Sequence, residues 1–351
     1  MDDLATVAEL GALVGQLATV LDNLQEDPLV DILRALFPDF HGHRNRPRFV
    51  WESLAQRPGV FWRLTGFQPD SAQTLVDEIE WEVRQPRNVR GKFPPGAIRQ
   101  MRDCGLNPRN RVLVVLIWLR QYLTINAISE LFCIDKTTVS NEIHHIVPIL
   151  RVHFQGAIVW PDVAELEALR GSWNRYPDAV LALDCTIHPV WKPLQDPGRY
   201  YRGDKKRYCL LSLLVCDPQG LIRHIECGYR GTNDSRIYSL SEVGTGTKFL
   251  PPWALVLADG GFPDRDQLVI PFPQPQIQGN LERQYINRWH RFYRSEIERA
   301  INRMKVFRCV SQTWRHPKPF QPMTAIVCAG LTNRKLLEER AARAADDNMD
   351  L

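Results

Sequence analysis

The sequence predicts an α/β protein: a mixed sheet flanked by helices, preceded by an all-α region that contains a helix-turn-helix. Three observations predict it. The apolar runs Val180–Leu183 and Leu255–Ala258 lack polar alternation and stop on Asp184 and Asp259, as suits strands buried on both faces. Between them, YCLLSLLVC (208–216) and LIRHIECGY (221–229) are joined by Asp217-Pro218-Gln219-Gly220, a β-turn sequence, and form a predicted antiparallel hairpin. Upstream of residue 150, apolar residues recur at helical spacing instead.

The 351 residues allow two or three domains with real cores. No run of eighteen apolar residues exists, so no transmembrane helix is expected. The N-terminus carries Asp2, Asp3 and Glu9 rather than a basic segment, which excludes a secretory signal. The eight cysteines form no CxxC pair and fall mostly in apolar runs, as buried thiols in a reducing compartment do. Net charge is +4, unevenly spread: residues 1–31 hold seven acids and no Lys or Arg, which leaves the rest at +11. A basic body with an acidic arm fits a polyanionic partner or an ordinary surface, and charge alone does not choose.

Residues 1–40 are an acidic amphipathic arm, with Leu10, Leu13, Val14, Leu17, Val20, Leu21 and Leu24 at helical spacing. Residues 41–98 are helical with basic linkers. HGHRNRPR (41–48) opens them, Trp51, Leu54, Phe61, Leu64 and Phe67 follow, and Pro69-Asp70-Ser71 starts a helix carrying Leu75, Ile79 and Val83. Residues 84–111 hold eight Lys and Arg against the single acid Asp103, a stretch able to lie along phosphates.

Residues 99–155 carry the helix-turn-helix. RVLVVLIWLRQYL (111–123) is apolar nearly all round and predicts a buried helix. Thr124 caps a short helix bearing Ile125, Ile128, Leu131 and Phe132. Cys133–Asp135 turn the chain, and Lys136–Val147 form the second helix with Val139, Ile143, Ile146 and Val147 inward. Lys136, Thr137, Thr138, Ser140, Asn141 and His144 face outward and are polar, as positions facing a DNA groove must be.

Residues 156–175 are a linker to the 176–335 domain, and 336–351 a polar tail. In that domain the first strand ends at Asp184. After the hairpin, a helix over 237–243 is capped by Asp234 or Ser235. A further strand ends at Asp259, 263–279 is a Pro/Gln-rich loop or lid, and 284–307 is one long helix. Its inward stripe is Tyr293, Ile297, Ala300, Ile301 and Met304. Glu298 flanks the stripe beside Arg291, Arg294, Asn302 and Lys305, with Glu296 on the opposite flank as the rival. Three carboxylates brought together by a fold suit hard divalent cations.

Residues 115–335 resemble the PIF/Harbinger class of DDE transposases and the Harbinger transposase-derived nuclease. The motifs stand in order: LALDCT, YYRGDKKRYCLLSLLVCDPQGLI, GYRGTNDSRIY, VLADGGFP with Ile270-Pro271-Phe272, and NRWHRFYRSEIERAINRMK. In the last, Asn287, Arg294, Ile297, Glu298, Met304 and Lys305 stand at matching positions. This sequence departs in having Cys185-Thr186-Ile187-His188 after the first aspartate, Asn302 for a common Gly, and Arg291 for a common Ser.

The resemblance implies an RNase H-like catalytic domain with Asp184, Asp259 and Glu298 as its acidic triad, and it favours Glu298 over Glu296. It implies a metal-dependent DNA endonuclease or transposase holding two Mg²⁺ or Mn²⁺ ions, with Arg294 and Lys305 positioning phosphates. Asp234 would support the metal ligands or cap its helix. The implied partners are double-stranded DNA, a Myb-like DNA-binding partner protein docked by the acidic arm, and further copies in a homo-dimer or higher oligomer, with no membrane. The implied location is the nucleus, partner-dependent because no nuclear-localisation run stands out. The alternative is a domesticated, catalytically idle DNA-binding or scaffold protein that keeps the fold.

Overall fold

A computed structural model describes residues 49–85, 106–265 and 267–349. The acidic arm, the 41–48 linker and most of the basic 84–111 stretch lie outside the described residues. The described chain divides into two compact units. One holds residues 49–50 and 123–139; the other holds the described residues of 51–122 and of 140–349.

The first unit carries α5 (Ile125–Phe132) and the start of α6 (Lys136–Gln155). The Thr124 hydroxyl accepts the Ala127 N–H, as its capping role required. The turn begins at Cys133, whose φ of 52° is left-handed, and Ile134 donates its N–H to the Ser129 carbonyl. Ile128, Leu131, Phe132 and Val139 are buried. Phe49 meets Phe132 edge to face at 5.9 Å. The helix α6 extends past the expected Val147, through Pro148 to Gln155, because Leu150 and Phe154 continue its buried stripe.

The second unit begins with α1 (Trp51–Ala55), α2 (Pro58–Thr65) and α3 (Pro69–Arg84), with Pro69 in the first turn and Leu75, Ile79 and Val83 buried. In α4 (Pro108–Gln121) every residue from Val112 to Leu119 is buried, as an all-apolar helix must be. Arg111 of α4 meets Glu142 of α6 at 2.8 Å with both side chains buried. A second Arg111 nitrogen donates to the Val83 carbonyl of α3.

The 156–175 stretch is not a bare linker. It contains α7 (Val163–Leu169), started by a reciprocal capping box between Asp162 and Glu165, and Leu166 enters the core of the sheet domain.

The mixed sheet runs β2-β3-β1-β5-β6, and β4 also pairs with β3, along Leu210–Cys216. Its strands are β1 (Ala179–Pro189), β2 (Tyr201–Arg202), β3 (Arg207–Cys216), β4 (Ile222–Arg230), β5 (Leu255–Leu257) and β6 (Leu268–Val269). The predicted hairpin is β3–β4, antiparallel, and β1 also pairs antiparallel with β3. The β1–β5 and β5–β6 pairs are parallel. Val180, Leu181, Leu213, Val215 and Val256 centre one core cluster.

The expectation that β1 ends at Asp184 is corrected: the strand continues five residues, to Pro189. Cys185 to Pro189 pair with Leu213 to Cys209 of β3, and buried Thr186 and His188 alternate with the more open Cys185 and Ile187. That polar alternation hides the strand from an apolar-run reading.

Helix α8 spans Asp234–Leu240, and its cap is Asn233, whose side chain accepts the Arg236 N–H. The expected cap at Asp234 or Ser235 is therefore displaced by one residue. The 263–279 loop holds β6 and α9 (Gln274–Ile277). Helices α10 (Leu281–Lys305), α11 (Arg308–Ser311) and α12 (Gln321–Met349) follow. The last runs through the expected polar tail. Its Asn333 side chain bonds both the N–H and the carbonyl of Ile222. No described helix is long and apolar enough to cross a membrane.

Candidate active site

Strand register brings the two aspartates together. On the parallel pair β1–β5, Ala182 lies opposite Leu257. Asp184 stands two residues further on within β1, and Asp259 stands two residues beyond the last residue of β5. Asp184 is a quarter exposed and Asp259 is exposed.

The Asp184 carboxylate accepts the N–H of Cys185 at 2.6 Å. Burial pushes its pKa up to about 6, helped by the carboxylates of Asp234 and Asp259, against the pull of the Cys185 N–H and Arg294. These three aspartates thus share one electrostatic neighbourhood. Asp234 is gripped by both terminal nitrogens of Arg202, each at 2.9 Å, in a largely buried fork. Arg202 was not singled out from the sequence. Its signal is the RGDKKR string, where one arginine among several basic residues carries no mark.

Helix α10 supplies the other face. Its Ile297, Ala300, Ile301 and Met304 are buried as the stripe predicted, while Tyr293, at the start of that stripe, is half-buried. This sets Arg294 over Asp184, with nitrogen and oxygen 3.6 Å apart, while its other terminal nitrogen holds Glu298 at 2.5 Å. One guanidinium therefore links Glu298 to Asp184. Glu298 does not itself touch the aspartates and is half exposed. Lys305 is half-buried, and burial lowers its pKa against the opposing pull of Asp184.

The rival Glu296 is placed elsewhere. It binds Arg299 at 2.6 Å and Arg303 at 3.1 Å, and Arg303 also reaches the Gly220 carbonyl in the β3–β4 turn. Of the two glutamates, only Glu298 is tied to Asp184.

Among the described residues no three His, Cys, Asp or Glu side chains converge at metal-ligating spacing. The donor chemistry nonetheless fits a hard divalent cation. Asp184, Asp234, Asp259 and Glu298 present carboxylate oxygens only, and burial, with the nearby Asp234 and Asp259 carboxylates, raises the pKa of Asp184 to about 6. The Arg294 guanidinium stands between the Asp184 and Glu298 carboxylates.

Beneath the site, His188 of β1 bonds the Val310 carbonyl at 2.8 Å and the Ser212 hydroxyl at 2.9 Å. Burial pushes its pKa down to about 4. Above pH 6.5 the imidazole is neutral folded and unfolded, so it contributes no pH dependence. Between pH 6.5 and 4 only the unfolded chain gains the proton, so stability falls with pH by up to about 3 kcal/mol. The melting temperature is expected to drop across that window and to drop less in His188→Gln. An identical profile in the variant would contradict the assignment.

On α6, Lys136, Thr137 and Asn141 are exposed, and Thr138 and Ser140 half-buried. His144 is exposed at its edge, but its ring stacks on Phe320 at 4.7 Å and one nitrogen meets the Ser140 carbonyl. These contacts fix the ring's orientation.

Residues 183–333 match the DDE superfamily endonuclease family, and residues 104–156 match the helix-turn-helix of DDE superfamily endonuclease. The chain is also similar to a putative transposase for insertion sequence element IS112 from Streptomyces albus G. The two are 26% identical over 218 residues, covering 60% of this chain and 74% of that protein. No solved structure matches.

Proposed function

We propose that this chain is a DDE transposase: a divalent-metal-dependent endonuclease that cuts DNA phosphodiester bonds at the ends of a mobile element. The observation that carries the proposal is Asp184 in β1 beside Asp259, which follows the end of the neighbouring parallel strand β5, with Glu298 tied to Asp184 through Arg294. Support for DNA as substrate comes from the helix-turn-helix match over residues 104–156.

Asp184, Asp259 and Glu298 would hold Mg²⁺ or Mn²⁺, two ions by analogy with other phosphodiester-cutting sites. When bound, the ions supply Lewis-acid stabilisation of charge on the reacting phosphate. The chain's own residues do the rest. Arg294, released from the two carboxylates, turns its guanidinium to a phosphate oxygen. Lys305, half-buried near Asp184, holds a neighbouring phosphate in register. Arg202 holds Asp234 by both terminal nitrogens and offsets its charge beside Asp184. In-line attack by water forms one P–O bond as the bond to the 3′ oxygen breaks. The products are a 3′-hydroxyl and a 5′-phosphate, and the 3′-hydroxyl can then attack target DNA.

The motif order favours the PIF/Harbinger subtype, and with it a Myb-like partner, a homo-oligomer and a nuclear location. The Streptomyces relative favours a second reading, an insertion-sequence transposase whose own helix-turn-helix selects the DNA. Binding to duplex DNA tests the DNA-reading helix in either case. Lys136→Ala is expected to lower the salt dependence of binding by about one phosphate contact. Asn141→Ala is expected to weaken the preferred site roughly tenfold over random DNA. Unchanged affinity and salt slope in both variants, measured by anisotropy, would remove α6 from the interface.

A further inference from the structure

The structure holds a cavity that the cutting chemistry does not use. It has a volume of about 710 Å³ and lies between the loop after Asp259 and the first turns of α10. Gly260, the residue after Asp259, forms one wall, and a Cβ added there would make ordinary contact with the Pro271 ring at 3.7 Å. Phe272 and Ile277 supply apolar surface, Gln284 an amide, and Arg288 and Arg291 charge on consecutive turns of α10.

Two features make this a built cavity. The Asn287 side chain accepts the N–H of Phe272 and donates to its carbonyl, both at 2.8 Å, which pins the loop to α10. Arg283 stands over the Phe272 ring at 4.9 Å, so one ring face is already covered by a cation. Arg288 and Arg291 are both exposed. Neither takes part in any ion pair found among the described residues.

We propose that this cavity receives one unpaired nucleotide of the DNA strand whose phosphodiester is cut; the inference rests on the nuclease reading above. A ring-and-amide pocket with arginines at its rim matches a nucleotide, which has a flat π face, hydrogen-bonding edges and an anionic phosphate. The volume lies within the range of small-ligand sites and exceeds one base, leaving room for sugar and phosphate. A paired base is held in the stack of its duplex and is not free to enter. A base leaves the helix most cheaply where pairing is already weak, so the cavity selects DNA with a frayed or mismatched position beside the cut.

The test is binding of an eight-nucleotide single strand with central 2-aminopurine, and of the same sequence as a perfect duplex, to the full chain without metal. In the wild type, fluorescence of the single strand is expected to quench on saturable binding. Ile277→Trp, which fills the cavity, and Arg288→Gln/Arg291→Gln, which removes only exposed charge, are each expected to weaken that binding at least tenfold. Duplex affinity should change less than threefold in Ile277→Trp. Equal single-strand binding in wild type and both variants would overturn the proposal. So would a loss in Ile277→Trp that is the same for single strand and duplex. Metal-dependent cleavage, measured separately, tells the two claims apart: wild-type protein that never cuts DNA yet binds the single strand as described refutes the nuclease reading and keeps the cavity.

Discussion

Asp184→Asn is expected to lower metal-dependent cleavage of duplex DNA by at least about 10³-fold, on the order of 4 kcal/mol of transition-state stabilisation. The side chain keeps its shape and can still accept the Cys185 N–H, so the strand register is preserved. What is lost is one anionic charge at the point where β1 and β5 bring Asp184 and Asp259 together. The melting temperature is expected to stay level or rise, because Asp184 is a carboxylate whose surroundings disfavour its charged form. Lost activity with unchanged or higher stability separates a chemical role from a structural one. Wild-type cleavage by Asp184→Asn would end the assignment.

Glu142→Leu is expected to cost about 3–5 kcal/mol of stability, because it strands the guanidinium of Arg111 inside the helical region. Arg111 and Glu142 tie α4 to α6, and Arg111 also reaches the Val83 carbonyl, so three helices share the one arginine. Arg111→Met/Glu142→Leu is expected to recover most of the loss, since two apolar side chains replace a desolvated pair. Chemical denaturation checks both. A single variant as stable as wild type would show that the pair does not hold the helices.

Much of the fold was legible because apolar spacing carries it. The runs 180–183 and 255–258, the DPQG turn and the stripe Ile297, Ala300, Ile301 and Met304 each announced one element, and the structure contains all of them. The second half of β1 was not legible. Its buried residues there are Thr186 and His188, and His188 is satisfied by Val310, distant in sequence. Glu142 was not legible as buried either, since nothing local to α6 reveals a partner 31 residues away. The cap of α8 was misplaced by one residue because Asn233, Asp234 and Ser235 can all cap, and Asp234 is instead engaged by Arg202. The site followed the same rule. Asp184 and Asp259 ended visible apolar runs, whereas helical spacing left Glu298 and Glu296 as rivals that only the resemblance separated; their partners are Arg294, which meets Asp184, for Glu298, and Arg299 and Arg303 for Glu296.

Asp184, Asp259 and Glu298 are proposed to act together on a divalent cation. Calorimetric titration of Mn²⁺ into the full chain with duplex DNA, comparing wild type, Glu298→Gln and Glu296→Gln, tests this. Binding is expected in wild type and Glu296→Gln and is expected to be lost in Glu298→Gln. Equal binding in wild type and Glu298→Gln would contradict it.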